Sequence, residues 1–329
     1  MLIIKNPDLS SFTIKKITFF GFIFSMKDFK INKGIFYSCV AALMWAVLAI
    51  ALKVSSNTID SATIVCFRFL LAFLILLIYM LIRYPAEIKI LFKPPWMLVA
   101  GSTALAWNFF GYMQGVHITT PINAQIYIQM GPVLFALGGI FIYKEKITWI
   151  HIVGFAIVIT GYILFYLEQM GAASLNGPLY LKGVMLILSA GATWAVYAIF
   201  QKFLVKSYTP NQLNLFIFGF CSLLFLPFAK FTSLQNLPVN DWLLLLHHGL
   251  NTILAYGSIA LAIKYMEANK VSLIITLNPV ITVLIMYFLG EMGVHWIAPE
   301  HFSLQSIAGA TLALSGAAFV VFFTRRANK

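Results

Sequence analysis

Charge is scarce in this chain, and acid is scarcer still. Lys, Arg, Asp and Glu make up 10% of the 329 residues, against about 25% in soluble domains. Hydrophobic residues make up 61% and the mean hydropathy is +0.91, which excludes a soluble globular domain and defines an integral membrane protein. The ten carboxylates (Asp8, Asp28, Asp60, Glu87, Glu145, Glu168, Asp241, Glu267, Glu291 and Glu300) all fall in loops or at predicted helix ends. A proton or sodium site built on a midplane acid is therefore not expected. The three cysteines, Cys39, Cys66 and Cys221, stand far apart; they offer neither a disulfide framework nor a zinc site and read as small packing residues. No Walker A, H-E-x-x-H or G-x-S-x-G sequence occurs, so ATP-driven transport and the common hydrolase chemistries find no support. His247 and His248 are adjacent, about 100° apart on a helix, and make poor joint metal ligands. No cofactor or metal is expected. The net charge of +12 does not point to nucleic acid, because the basic residues lie between apolar blocks rather than on one face.

Long apolar runs are what the chain has in abundance. A spanning helix needs about 20 mostly apolar residues, and ten stretches qualify: 35–54, 61–82, 96–117, 121–143, 147–168, 182–204, 211–229, 242–265, 271–289 and 303–323. Thr120-Pro121 and Thr209-Pro210 are helix starts, each a capping hydroxyl before a proline at the first helical position. Counting the N-terminal segment with every second loop, eighteen Lys and Arg fall on one side and only Lys53, Lys182 and Lys230 on the other. The positive-inside rule then places both termini in the cytoplasm, and the expected location is the inner (cytoplasmic) membrane. Residues 1–32 read as a cytoplasmic N-terminal extension and 324–329 as a cytoplasmic tail. Ile17 to Phe24 is too short to span; the segment is either an interfacial amphipathic extension or the product of a start codon placed before Met26.

The chain repeats itself. Shifted by 149 residues, Lys33, Gly34, Ala41, Trp45, Ala46, Val47, Ala49, Ile50 and Lys53 fall on identical residues, among them Lys182, Gly183, Trp194 and Lys202. A shift of 147 places Pro132-Val133 on Pro279-Val280, and Gly154 and Gly161 match Gly309 and Gly316 with the same spacing. The halves are 33–168 and 182–323, five spans each. An odd number of spans makes the second half enter from the opposite side. The expected fold is thus an all-α integral membrane protein of ten transmembrane helices in two inverted five-helix repeats, an arrangement associated with alternating access. The small faces around Gly154, Gly161, Gly309 and Gly316 suit close helix packing and leave monomer and homodimer both open.

Inverted-repeat carriers place substrate near the midplane between repeats, which directs attention to polar residues there. Gln125 and Gln129 share a face four residues apart, as do their counterparts Ser272 and Thr276, and both pairs run toward a proline, Pro132 or Pro279, that breaks helical hydrogen bonding. These side chains either line the cavity or bond neighbouring helices at about 1 kcal/mol each. Asn108 and Tyr112 form a similar pair, and Asn251 lies in the span that corresponds by order. Trp45 and Trp194 are mid-helix, away from the headgroup belt, and either stack on substrate or pack between helices. Arg68 is the only charge well inside a span; it either binds a substrate carboxylate through its fork of donors or snorkels outward.

These features resemble the EamA-type ten-helix members of the drug/metabolite transporter (DMT) superfamily. The likeness rests on Gly34 and Trp45 with Gly183 and Trp194, on Arg68-Phe69, and on the proline helices YIQMGPVLFALGGIFIYKEK and IITLNPVITVLIMYFLGE with acidic exits at Glu145 and Glu291. ALAIKYMEANKVSL at 260–273 is similar to the family's junction between spans 8 and 9, whereas GVHITTPINAQI at 115–126 has drifted, and the stretch Trp296 to Ser303 is an insertion. The resemblance implies a secondary transporter in a lipid bilayer for a small-molecule substrate: an amino acid, a related polar or amphipathic metabolite, or a drug. Export is the expected direction, with Trp45, Arg68, Asn108, Tyr112, Gln125, Gln129, Trp194, Asn251, Ser272 and Thr276 as substrate contacts. The alternative is a membrane-embedded enzyme acting on a lipid or lipid-linked substrate through Asn108, Tyr112 or the histidines.

Overall fold

The computed structural model describes residues 33–145, 148–173 and 177–294, with 303–305, 307–309, 311–312, 315–316 and 319. The N-terminal extension, the tail and nearly all of the insertion at 296–303 lie outside the described residues. The chain is all-helical, with no strand among those residues. Four helices of the first half are α1 (Lys33–Ser55), α2 (Ser61–Arg83), α3 (Trp96–Ile118) and α6 (Trp149–Ala173). The fourth span is broken into α4 (Pro121–Tyr127) and α5 (Met130–Phe141). In the second half α7 (Gly177–Leu204), α8 (Pro210–Phe225) and α9 (Val239–Tyr265) are continuous, and the ninth span is broken again, into α10 (Ala268–Ile275) and α11 (Asn278–Glu291). Seven spans, counting each broken pair once, are long and apolar enough to cross a membrane among the described residues. α3 is also 23 residues long, but Asn108 and Gln114 make it less apolar, because it serves the interior.

The predicted starts are in place. Thr120 Oγ1 accepts from the Asn123 amide, and Thr209 forms a reciprocal capping box with Gln212. The two prolines do not themselves mark the breaks. Those fall at Ile128-Gln129 and Thr276-Leu277, and Pro132 and Pro279 sit in the first turn of the following segment, where a missing amide costs nothing.

Contacts between the halves show the inversion. α3 packs along α7 and α9 packs along α1, the same pair of neighbours read from either half, while α2 meets α8. α4 meets α11 and α5 meets α10: the leading segment of each broken span touches the trailing segment of the other, so the two spans run antiparallel. Polar bonds repeat the symmetry. Asn108 Nδ2 donates to Ala190 O at 2.8 Å, from α3 to α7, and Asn251 Nδ2 to Met44 O at 2.8 Å, from α9 to α1. Lys53, at the end of α1, donates to the carbonyls of Val116, His117 and Thr119 at 2.7–3.1 Å and closes the C-terminus of α3. Its counterpart Lys202 reaches Met266 O at 3.4 Å, at the C-terminus of α9.

A cation on unsatisfied terminal carbonyls stabilises a partly buried helix end by about 1–2 kcal/mol. Lys53→Met is therefore expected to lower the thermal midpoint in detergent, whereas Lys182→Met, at an exposed position, leaves it unchanged. Of the cysteines, Cys66 and Cys221 are buried and Cys39 is exposed. Gly316 packs within the chain: a Cβ there would lie 3.0 Å from Gly154 O, so that small-residue face is occupied by the chain's own last span.

Candidate functional site

Between the halves lies a partly open, mostly apolar cavity with a few convergent polar groups, the kind of lining that small-molecule sites have. The first half lines it with Trp45 and Leu48 of α1, Arg68 of α2, Asn108, Phe109 and Tyr112 of α3, and Gln125, Ile128, Gln129 and Pro132 of the broken fourth span. The second half gives Trp194 of α7, Tyr256 of α9, and Ile275 and Asn278 at the break of the ninth span.

One wall is aromatic. The repeat-related tryptophans meet each other, Trp45 on Trp194, with centroids 5.8 Å apart at 85°. Tyr256 packs edge-on against both Trp45 and Phe109, at 5.6 and 5.4 Å. Each such pair adds about 0.5–1.5 kcal/mol beyond burial, so the wall is held in shape before any ligand arrives. Trp45 and Trp194 thus both line the cavity and pack between helices; the two readings of the sequence are not exclusive.

Arg68 is 3% exposed and does not snorkel. Its Nε donates to Thr252 Oγ1 at 2.9 Å, the Thr252 hydroxyl donates to His248 O at 2.7 Å, and His248 Nε2 lies 2.8 Å from Ser55 Oγ. The guanidinium carbon lies 5.0 Å and 5.6 Å from the ring centroids of Phe69 and Phe109. No carboxylate lines the cavity, and Arg68 makes no ion pair among the described residues. A buried charge without a counterion is costly, so an anion that reaches the cavity is attracted by this guanidinium.

The break in the fourth span positions the amides. Gln125 Nε2 donates to Trp45 O at 2.9 Å and Gln129 Nε2 to Gln125 O at 3.0 Å. Gln129 Oε1, Tyr112 Oη and Asn278 Oδ1 are buried with no hydrogen-bond partner. Other buried polar atoms of the described residues share that condition, so what sets these three apart is their place in the cavity lining beside a guanidinium, where a ligand can bond them.

Seven of the ten residues singled out in the sequence come together here. Ser272, Thr276 and Asn251 do not line the cavity. Thr276 Oγ1 is taken up by Leu273 O at 2.6 Å, Ser272 is fully buried, and the Asn251 amide is committed to Met44 O. Pro279 is likewise buried in helix packing while Pro132 lines the cavity. A threonine is too short to reach where Gln129 reaches, and the bend places Ile275 and Asn278 there instead. Asn278 and Tyr256 were missed. For Asn278 the signal was present as an amide directly before Pro279; for Tyr256, a lone tyrosine in an apolar helix, no sequence signal stands out.

Two inverted halves, two broken helices and a charged cavity at their seam define a multi-pass membrane transporter. The EamA-like transporter family model matches the chain twice, at residues 32–167 and 181–322, and the chain belongs to that family. It is 29% identical over 293 residues to an uncharacterized transporter of Haemophilus influenzae, covering 86% of this chain and 93% of the other. It is 28% identical over 290 residues to the uncharacterized inner membrane transporter YhbE of Escherichia coli, covering 87% and 90%. A protein of known crystal structure shares the fold at a TM-score of 0.68 and 18% identity, covering 89% of this chain and 99% of that one.

Proposed function

We propose that this protein is a secondary transporter that moves a small carboxylate-bearing metabolite, an amino acid or a related polar or amphipathic compound, by alternating access and in the export direction. The observation that carries the reading is Arg68: a buried guanidinium in the wall of a cavity that holds no acid. A substrate carboxylate supplies the missing counterion through paired charge-assisted bonds. Gln129, Tyr112 and Asn278 take the polar remainder and the aromatic wall takes the apolar body. The excess of Lys and Arg at the Lys202 end supports placing that end and both termini in the cytoplasm. Of the groups named for a lipid-modifying enzyme, Asn108 and Tyr112 line the cavity and the histidines do not, among the described residues; the match to a transporter family supports the carrier.

The test is purified protein in liposomes with labelled amino acids, other monocarboxylates, nucleosides and organic cations. Saturable flux of carboxylate-bearing solutes, with organic cations excluded, is the expected result. Flux of organic cations with carboxylates excluded overturns the substrate class, and chemical change of a lipid without solute flux overturns the carrier.

A further inference from the structure

Repeat symmetry fails in the cavity lining and again at the exits of the broken spans, where the failure concerns charge. Beyond the end of α5, Glu145 Oε1 lies 2.7 Å from Lys202 Nζ and accepts from the Ala268 amide at 3.0 Å. Glu145 belongs to the first half, Lys202 and Ala268 to the second, so one carboxylate ties the fourth span to both α7 and α10. The two side chains are 8% and 14% exposed, shielded enough for the attraction to escape most screening. Ala268 opens α10, whose N-cap residue Glu267 makes no side-chain cap; the carboxylate capping that helix start comes from the other half.

The opposite end has the same ingredients in sequence and a different outcome. Lys53 ends α1 and Glu291 ends α11, yet Glu291 is exposed and makes no ion pair among the described residues. The acids stand one residue out of register, since at a shift of 147 Glu145 falls on Met292 and Glu291 on Lys144, and two neighbours differ as well. At a shift of 147 the counterpart of Ala268 is Pro121, which has no amide to donate, and α4 is capped by its own Thr120. The counterpart of Gly139 is Met286. A Cβ at Gly139 would lie 2.6 Å from Glu145 Oε2, so glycine makes room for the carboxylate. Met286 instead joins Ile50, Ile122, Ile126, Val280 and Val283 in an apolar plug.

We infer that the Glu145–Lys202 pair is a one-sided latch that holds the halves together at the Lys202 end and breaks each time the cavity opens there. The apolar plug at the Lys53 end parts without losing an ion pair, so the resting transporter prefers to open at that end. The inference rests on the alternating-access reading but needs no substrate to test, so its failure is distinguishable from failure of the transport assay.

The experiment is pulsed electron–electron distance measurement on full-length protein in nanodiscs, with Cys39, Cys66 and Cys221 replaced by alanine. Spin labels at Ile142→Cys and Lys206→Cys report one end; labels at Asn57→Cys and Met292→Cys report the other. Glu145→Gln and Lys202→Met are each expected to raise the long-distance population at the Lys202 end about fivefold, while Glu291→Gln changes neither end. The charge-swapped pair Glu145→Lys with Lys202→Glu restores the attraction but not the bond from the Ala268 amide, so it is expected to recover part of the closed population. Unchanged distances in the single variants, an equal response to Glu291→Gln, or no recovery in the swap each overturn the latch.

Discussion

Arg68→Gln in proteoliposomes is expected to abolish saturable uptake of the proposed carboxylate solute at concentrations where the native protein is half-saturated. Removing one partner of a buried, hydrogen-bonded charge pair costs about 2–5 kcal/mol, and the middle of that range raises the apparent Kd by a factor of several hundred. Arg68→Lys keeps the charge but loses the planar fork and the Nε bond to Thr252, so it recovers only part of the affinity. The variant's thermal midpoint separates this role from a structural one. If the guanidinium serves substrate, Arg68→Gln removes an uncompensated buried charge and the empty protein is as stable as the native one or more so. A large fall in midpoint places Arg68 among the groups that hold the fold.

Gly131→Val has the second largest effect, by a different route. Gly131 lies at the start of α5 where it crosses Gly191 of α7; a Cβ would lie 2.9 Å from Gly191 O and 3.1 Å from Trp194 Cε3. Neither a backbone oxygen nor an indole already packed on Trp45 and Phe135 can give way. Overpacking of this kind costs about 1–3 kcal/mol, and relief requires α5 to move off α7, which carries Gln129 and Pro132 away from the cavity. Flux is expected to fall to background with a lowered thermal midpoint. Gly290→Val is the control, because nothing lies within 4 Å of a Cβ there, and it leaves both unchanged.

Much of this was legible in the sequence because duplication constrains residues that face the same surroundings twice. Trp45 and Trp194 meet because each is the inward residue of the first helix of its half. Lys53 and Lys202 both close helix ends because each ends that helix. The second half of the site was less legible. A shift of 147 carries Gln125 and Gln129 onto Ser272 and Thr276, but the register passes through a helix break, and a bend there rotates a different residue toward the cavity. Asn278 reaches it and Thr276 does not. The latch was hidden for the same reason: Glu145 and Glu291 read alike as acidic exits, though one residue out of register, and the neighbours Gly139 against Met286 and Ala268 against Pro121 show that one is engaged and the other is not.

The account stands or falls on a single cavity at the seam of two inverted halves that opens to each face of the membrane in turn. Gln129→Cys, in protein whose three native cysteines are replaced by alanine, puts a thiol in that cavity. A membrane-impermeant maleimide applied to oriented vesicles from each face in separate experiments reads its accessibility. The account predicts labelling from both faces, slowed from both by a transported carboxylate. Labelling from one face alone, or the same rate with and without substrate, contradicts it.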